Sequence, residues 1–230
     1  MNSICLIPAR GGSKRIYKKN IKMFHNKPLI AWSIECAIKS KIFNEVFVST
    51  DDIEIKQIAE SYGAIVPFLR PKELSDDFAK DADVRTHFLN WFKKTHKNKI
   101  DILCYLYATA PFISSKTLIE CKNDLLKFNN GCVFTVTDYS FSPLRALIKK
   151  ENGELEYFLK QYSDKRSQDL PPLLHDAGQC YFFNLNKDNY ETDRRGYKIS
   201  RLHSQDIDTQ EDFEFAEILF GILKNNNLLK

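Results

Sequence analysis

A glycine-containing loop crowded with positive charge follows the first apolar run of the sequence. Residues 8–22 hold six lysines and arginines: Arg10, Lys14, Arg15, Lys18, Lys19 and Lys22. Gly11 and Gly12 can adopt a positive φ, which turns consecutive N–H groups into a concave nest for an anion. Such a nest, ringed by positive charge, is suited to a polyphosphate. A solvated basic loop is the alternative. The position directly after a strand favours a ligand site, because ligands of open α/β sheets gather at the carboxyl ends of the strands.

The loop differs from the common nucleotide-binding motifs. It has neither the Gly-Lys-Ser/Thr of a Walker loop nor the three glycines of a G-x-G-x-x-G fingerprint. The sequence also lacks a G-x-S-x-G elbow, which disfavours a Ser-His-Asp hydrolase. The loop therefore predicts a polyphosphate site of another type.

Two carboxylates, Asp206 and Asp208, follow the last predicted strand. In an extended segment both project to the same side while Ile207 points inward. Mg²⁺ bound to phosphates takes one or two protein carboxylates, and water and substrate fill its other positions. The pair therefore indicates a Mg²⁺ site. In the alternative, Asp208 helps to cap the next helix and Asp206 is a solvated charge.

Further polar segments lie beside predicted strands. Arg70 follows a short strand, and residues 108–112 follow the strongest strand of the chain. Residues 166–170 and 175–179 bracket a Pro-Pro turn just before another strand, and either is a candidate binding loop. For His175, a structural hydrogen bond is the alternative to a catalytic role.

Apolar runs and helical periodicity alternate along most of the chain. The predicted strands are residues 3–7, 45–49, 64–68, 101–107, 132–137, 181–184 and 198–202. The predicted helices run from Pro28 to about Lys41, from an Asp51/Glu54 capping box to residues 62–63, from about 81 to 95, from Ser114 or Ser115 to Phe128, and onwards from Thr209. This alternation predicts a doubly wound, mostly parallel, Rossmann-like α/β sheet. Residues 138–172 interrupt it, with a hairpin-type turn at 152–153, and we expect them to form an inserted flap.

The composition is that of one globular domain, residues 1–230, with 43% hydrophobic residues. A net charge of +4 and a pI near 8.6 are mild, so bulk charge does not indicate a nucleic-acid partner. No apolar stretch approaches the ~18–20 residues of a membrane helix and no signal-peptide pattern is present, so we expect a cytoplasmic protein without a membrane partner. The six cysteines form no C-x-x-C pair and are expected to be buried thiols.

Seven short strings together resemble one enzyme family. They are IPARGGSKR (7–15), KN (19–20), STDD (49–52), FLRP (68–71), RSQD (166–169), HDAGQ (175–179) and DID (206–208). With these strings, which are spread over nearly the whole chain, the sequence resembles the cytidylyltransferases that activate nonulosonic acids. The resemblance implies that CTP and a nine-carbon 2-keto sugar acid are converted, with Mg²⁺, to a CMP-sugar and pyrophosphate. It also implies a homodimer in which the 138–172 flap reaches towards the partner's site.

The resemblance further implies roles for individual residues. The implied substrate-binding residues are Arg10, Gly12, Ser13, Lys14, Asn20, Arg70, Arg166, His175 and Gln179. The implied catalytic residues are Lys19 and Asp208, and the implied Mg²⁺ ligands are Asp206 and Asp208. Within these sets the loop cations would hold the triphosphate, Asn20 and Arg70 would lie on the nucleotide side, and Arg166 and His175 would face the sugar. Tyr17 stands where the family's loop often has proline, a departure that removes no charge.

Three strings bear on the identity of the sugar acid. YATAP at 107–111 and the RSQD and HDAGQ strings stand where sialic acid synthetases usually carry Gln-Pro-Thr-Ser-Pro and Arg-Pro-Asn-Gly. The resemblance therefore implies pseudaminic acid, with sialic acid as the first alternative and Kdo as a weaker one. A non-catalytic nucleotide- or RNA-binding protein is the alternative from another class, and it predicts no product.

Overall fold

The computed structural model describes residues 1–229, in which a six-stranded sheet lies between helices. The strands are β1 (Ser3–Pro8), β2 (Met23–Phe24), β3 (Lys27–Pro28), β4 (Glu45–Ser49), β5 (Ile102–Leu106), β6 (Cys132–Asp138), β7 (Leu147–Lys149), β8 (Leu155–Tyr157), β9 (Leu174–Asn184) and β10 (Arg194–Lys198). The helices are α1 (Leu29–Ser40), α2 (Ile53–Ser61), α3 (Asp81–Thr95), α4 (Ser115–Lys127) and α5 (Gln210–Asn225). No helix within residues 1–229 is both long enough and apolar enough to cross a membrane.

The central sheet has the strand order β10-β6-β9-β5-β1-β4. Strand β9 runs antiparallel to both of its neighbours, and the other three pairings are parallel. The parallel strands β1, β4 and β5 are almost wholly buried, as their nearly continuous apolar sequences predict. The prediction of a mostly parallel sheet is confirmed.

Helices cover both faces of this sheet. Alternate residues of β1 point to opposite sides: Cys5 packs in a cluster with α1, α2 and α4, whereas Leu6 packs in a cluster with α3. Helix α5 packs against Phe24 in a third cluster that also holds Ile207. The doubly wound α/β architecture predicted from the sequence is therefore confirmed.

Three local predictions are wrong. Residues 64–68 make single bridges to the sheet instead of a strand, and Pro67 there has no N–H for a ladder. The last strand is Arg194–Lys198, a polar edge strand that carries little apolar pattern, and residues 201–203 form a 3₁₀ turn. Residues 175–179 belong to β9 and do not form a loop, because β9 extends along the full length of β6.

The segment 138–172 leaves the sheet, as expected. Its strands β7 and β8 form an antiparallel hairpin, and Gly153 has a φ of 87° in the turn between them. Several large apolar side chains of the segment are exposed, including Phe141 (88%), Phe158 (63%) and Leu155 (61%). The flap therefore offers an apolar surface to solvent in the single chain.

Candidate active site

A cleft of about 550 Å³ opens at the carboxyl ends of β1 and β5. The predicted site residues that line it are Arg10, Ser13, Lys14, Lys19, Asn20, Arg70, Asp206 and Asp208. Ala108 and Thr109, from the predicted ligand segment 108–112, line it as well, together with Tyr107 just before them. The basic loop near the start of the chain and the carboxylate pair near its end thus meet in one cavity, although about 190 residues separate them.

The basic loop is fixed to the neighbouring strand–helix connection through Gly11. Its N–H donates to Asp51 Oδ1 at 2.9 Å, and a Cβ on Gly11 would lie 2.7 Å from Asp52 Oδ2. Any larger residue at position 11 would clash with the Asp52 side chain, so glycine is required there. The predicted positive φ at Gly11 and Gly12 is wrong, and the left-handed residue of the loop is Lys18, with a φ of 49°. The predicted cap of α2 also shifts by one residue, because Asp51 binds the loop while Asp52 accepts from Glu54 and Ile55.

The outer cations of the loop are paired with one acidic side chain. Arg10 donates to the Asp76 carbonyl at 2.7 Å and to Asp77 Oδ1 at 2.9 Å, and Lys14 hydrogen-bonds to Asp77 Oδ2. The Lys14 and Arg10 partners lower the pKa of Asp77, so its carboxylate remains charged at neutral pH. The Asp77 carboxylate thus lies between Arg10 and Lys14, where a phosphate group would have to bind.

Lys19 connects the basic loop directly to the carboxylate pair. Its Nζ donates to the Ile207 carbonyl at 2.7 Å and to Asp208 Oδ1 at 3.2 Å. Arg15 lies 2.9 Å from the other oxygen of Asp208. Asn20 is buried and donates to the Arg10 carbonyl at 2.9 Å, so its side chain holds the shape of the loop.

The two carboxylates are held by the buried residue between them. Ile207 is fully buried in the cluster around α5, which leaves Asp206 and Asp208 facing the cleft as the sequence predicts. Helix α5 is capped by Thr209 and Asp212, so the Asp208 carboxylate is not used as a cap. The walls of the cleft desolvate Asp206 and raise its pKa, and the neighbouring charge of Asp208 adds to that shift.

This pair of carboxylates fits a hard divalent cation. Among residues 1–229 no group of three or more Asp, Glu, His or Cys side chains could enclose a metal ion. Two carboxylate ligands facing a cleft leave the remaining coordination positions to phosphate and water, which is how Mg²⁺ is usually bound beside a nucleotide. Desolvation and the charge of Asp208 together raise the pKa of Asp206, and a bound cation would offset both effects.

Arg70 contributes a buried positive charge to the same cleft. The residue is 5% exposed, its Nε donates to Ser75 at 3.0 Å, and its guanidinium lies 3.9 Å from Asp51. Burial lowers the pKa of Arg70 and Asp51 opposes the shift. An arginine is effectively always protonated, so this guanidinium remains a fixed cation in the cleft.

Four predicted substrate-binding residues do not line the cleft. Gly12 lies beside it, Arg166 is exposed in the flap and pairs with Asp169 at 2.7 Å, and the His175 ring lies 4.7 Å from Tyr139. Gln179 is buried and donates to the His203 carbonyl, and it lies in the stretch of β9 where the register with β6 shifts. Their contacts with substrate stay predictions.

Sequence reasoning did not predict a cluster of tyrosines and carboxylates that forms another wall of the cleft, although Tyr107 and Asp176 lie in the YATAP and HDAGQ strings. Tyr105 donates to Asp81 Oδ1 at 2.9 Å, Tyr107 hydrogen-bonds to Asp81 Oδ2, and Tyr181 donates to Asp176 at 2.7 Å. All five residues line the cleft. The available signal was the spacing of Tyr105 and Tyr107, which places both on the same side of β5 at its carboxyl end.

A cationic loop facing paired carboxylates at the end of a mostly parallel sheet is the arrangement that nucleotidyl transfer requires. A family profile described as cytidylyltransferase matches residues 4–230, and the chain belongs to this family. It is 40% identical over 233 residues to a pseudaminic acid cytidylyltransferase of Campylobacter jejuni, covering 96% of this chain and 97% of that protein.

A second curated relative and a solved structure are also similar to this chain. An N-acylneuraminate cytidylyltransferase of Escherichia coli is 34% identical over 93% of this chain and 51% of its own length. The structure of a CMP:2-keto-3-deoxy-manno-octonic acid synthetase complexed with CTP has a TM-score of 0.69 and 17% identity, covering 96% of this chain and 99% of its own. At that identity the structural likeness concerns the fold.

Proposed function

We propose that this protein is an enzyme that transfers CMP from CTP to the anomeric oxygen of pseudaminic acid and releases pyrophosphate. The observation that carries the proposal is the single cleft in which the basic loop meets Asp206 and Asp208. The 40% identity to a pseudaminic acid cytidylyltransferase over nearly the full length of both chains supports it.

In this proposal the residues of the chain act by positioning and by electrostatics. Arg10, Lys14 and Lys19 bind the β and γ phosphates, and their present carboxylate partners give way to the triphosphate. The anomeric oxygen attacks the α-phosphorus in line, and the fixed cations stabilise the charge that develops on the leaving pyrophosphate. Arg70 and Asn20 hold the nucleotide side of the cleft.

We include a Mg²⁺ site in the proposal. Asp206 and Asp208 would hold the ion, since both carboxylates face the cleft beside Lys19. When bound, Mg²⁺ supplies Lewis-acid stabilisation of phosphate charge and lowers the pKa of a hydroxyl near it. Lys19 contacts Asp208 and, in this proposal, also the triphosphate, so it fixes the position of the carboxylate pair relative to the phosphates.

The choice of sugar follows the relatives. A Helicobacter pylori protein that is 37% identical over 90% of this chain is named for two activities, and this chain covers 40% of its length. The second activity acts on a 2,4-diacetamido-2,4,6-trideoxy sugar. We therefore propose a sugar acid that bears acetamido groups in place of some hydroxyls. Sialic acid is the second candidate, because the Escherichia coli relative is an N-acylneuraminate cytidylyltransferase.

We further propose a cytoplasmic homodimer in which the 138–172 flap contacts the partner. The exposed apolar side chains of the flap, among them Phe141 and Phe158, would be covered in such an assembly. CTP is available in the cytoplasm, which is the compartment that the proposed reaction needs. Nucleic acid and membranes play no part in this proposal.

The test is turnover with defined substrates. Purified protein is incubated with CTP, Mg²⁺ and either pseudaminic acid or sialic acid, while pyrophosphate release and the CMP-sugar mass are measured. We expect product with pseudaminic acid and its loss when EDTA removes the metal. Product from sialic acid alone would contradict the choice of sugar, and product from neither would favour a non-catalytic nucleotide-binding protein.

A further inference from the structure

Strand β9 has an irregular stretch beside the candidate active site. Its register with β6 shifts there, so that Thr135 of β6 lies opposite residues 177–180 of β9. Gly178 in this stretch has a φ of 62°, and it lines the cleft. A bulge of this kind bends the strand and re-aims a side chain, and bulges are over-represented next to active sites.

The side chain that lies at this bulge is that of Gln179. The residue is 1% exposed, and its Nε2 donates to the backbone carbonyl of His203. Its own backbone carbonyl accepts from the N–H of Tyr107 at 2.9 Å. Gln179 therefore joins the end of β5, where the cleft opens, to the loop that leads to the carboxylate pair.

Stability alone does not account for a glutamine at this position. Within residues 1–229 the buried Oε1 of Gln179 has no hydrogen-bond partner. A buried polar atom without a partner destabilises a fold, and methionine, with nearly the same size and no amide, would avoid this cost. The half-satisfied amide therefore indicates that the bond from Nε2 to His203 has a purpose besides stability.

The bond to Gln179 anchors the loop that carries the carboxylates. Residues 204–208 have no regular secondary structure, and His203 lies three residues before Asp206. The Nε2 of the His203 ring also lies 3.0 Å from the Leu228 carbonyl oxygen, so this residue is held from two directions. On the other side of Asp206, the fully buried Ile207 packs in the cluster around α5. The position of the Asp206 carboxylate thus depends on an anchor at each side.

We propose that Gln179 is a positioning residue whose bond to His203 holds Asp206 in place beside Asp208 for a divalent cation. Mg²⁺ demands near-ideal octahedral geometry with oxygens at about 2.0–2.1 Å, so a small displacement of one carboxylate weakens binding. Residues behind the ligands of a metal commonly set its affinity in this way. In this role Gln179 contacts neither the substrate nor the ion. The inference rests on the Mg²⁺ site of the proposed function and adds a residue that shapes that site.

The test measures how much Mg²⁺ strengthens the binding of CTP to the full-length protein. Calorimetry gives the Kd for CTP with EDTA and with Mg²⁺, and the first divided by the second is the metal ratio. Gln179→Met keeps the size of the side chain and removes the donor, whereas Gln179→Asn keeps the amide but is one methylene too short to reach His203.

Asn130→Leu is the matched control. Asn130 also has a buried side-chain oxygen without a partner in the described part of the chain, and its amide nitrogen donates to Asp193 at 2.9 Å. It precedes β6 at the opposite end of the sheet from the cleft, because β6 and β5 both run antiparallel to β9. Thermal unfolding of every variant reports on folding.

We expect the metal ratio to fall about two- to tenfold in both Gln179 variants, which is the net effect of one hydrogen bond. The Kd for CTP with EDTA should stay unchanged, because the basic loop is intact. Gln179→Met should unfold near the wild-type temperature, since it loses the unpartnered oxygen together with the bond. Asn130→Leu should keep the wild-type metal ratio.

A wild-type metal ratio in both Gln179 variants would overturn the inference. Equal weakening of CTP binding with Mg²⁺ and with EDTA would overturn it as well, because it would show a general loss of structure. Turnover of CTP and pseudaminic acid by the wild-type protein is measured separately. Turnover with unchanged ratios would remove the role of Gln179 and leave the proposed function intact, whereas a lowered ratio without turnover would retain that role and contradict the proposed reaction.

Discussion

Replacement of Lys19 by methionine removes a largely buried charge that joins the basic loop to the carboxylate pair. The Lys19 ammonium contacts the Ile207 carbonyl and Asp208, and only 19% of the side chain is exposed, so solvent and salt screen it weakly. A charge-assisted hydrogen bond to the triphosphate is worth about 1.5–3 kcal/mol. At about 1.4 kcal/mol per factor of ten, kcat/KM for CTP should fall roughly 10- to 150-fold in Lys19→Met.

Lys18→Met is the matched control, because Lys18 carries the same charge one residue earlier and pairs with Glu54 outside the cleft. Pyrophosphate release is measured at saturating sugar over a range of CTP concentrations, and thermal unfolding of both variants reports on folding. We expect Lys18→Met to stay near the wild-type rate. Equal losses in the two variants would refute the assignment, because they would reflect the net charge of the loop and not the position of Lys19.

Three other perturbations give separate tests. Asp77→Asn should tighten CTP binding roughly two- to fivefold at low salt, because it frees two cations, and the gain should shrink at high salt; weaker binding in calorimetry would contradict this. Phe158→Asp should convert the proposed dimer to monomers in sedimentation experiments, and a monomeric wild-type protein would contradict the dimer. The Asn2 N–H donates to Asp101 and lowers the pKa of this carboxylate in the folded state. The charged carboxylate therefore stabilises the fold at pH values above its unfolded-state pKa near 4, and this stabilisation is lost as the pH falls through its lower folded-state pKa. Asp101→Asn should therefore cost about 1 kcal/mol at pH 7 and progressively less as the pH falls below about 4 in urea unfolding, and a cost independent of pH would contradict the linkage.

The parts of the fold set by local pattern could be predicted from the sequence. The strand Glu45–Ser49 and the helix Asp81–Thr95 have the predicted bounds, since burial of an apolar run and helical periodicity decide them locally. The strand Arg194–Lys198 could not be predicted, because an edge strand with mostly polar side chains is stabilised by its pairing with β6. The full length of β9 depends on the same partner.

The candidate site divides in a similar way. Lys19 and Asp208 are 189 residues apart, yet both could be predicted because each belongs to a short segment whose chemistry is visible locally. Asp81 could not, because a single acidic residue at the start of a helix carries no local signal, and Asp176 lay within the HDAGQ string without being assigned a role of its own. Tyr105 and Tyr107 reach Asp81 from another element of the fold, a contact that only the tertiary structure creates, whereas Tyr181 meets Asp176 within β9.

A crystal structure of the protein with CTP and Mg²⁺ tests most directly whether one triphosphate is bound by both halves of the cleft. We predict β and γ phosphate oxygens within hydrogen-bonding distance of Lys14 and Lys19, and a Mg²⁺ ion about 2.0–2.1 Å from oxygens of Asp206 and Asp208. A triphosphate bound away from the basic loop, or a metal ion that contacts neither carboxylate, would contradict the account.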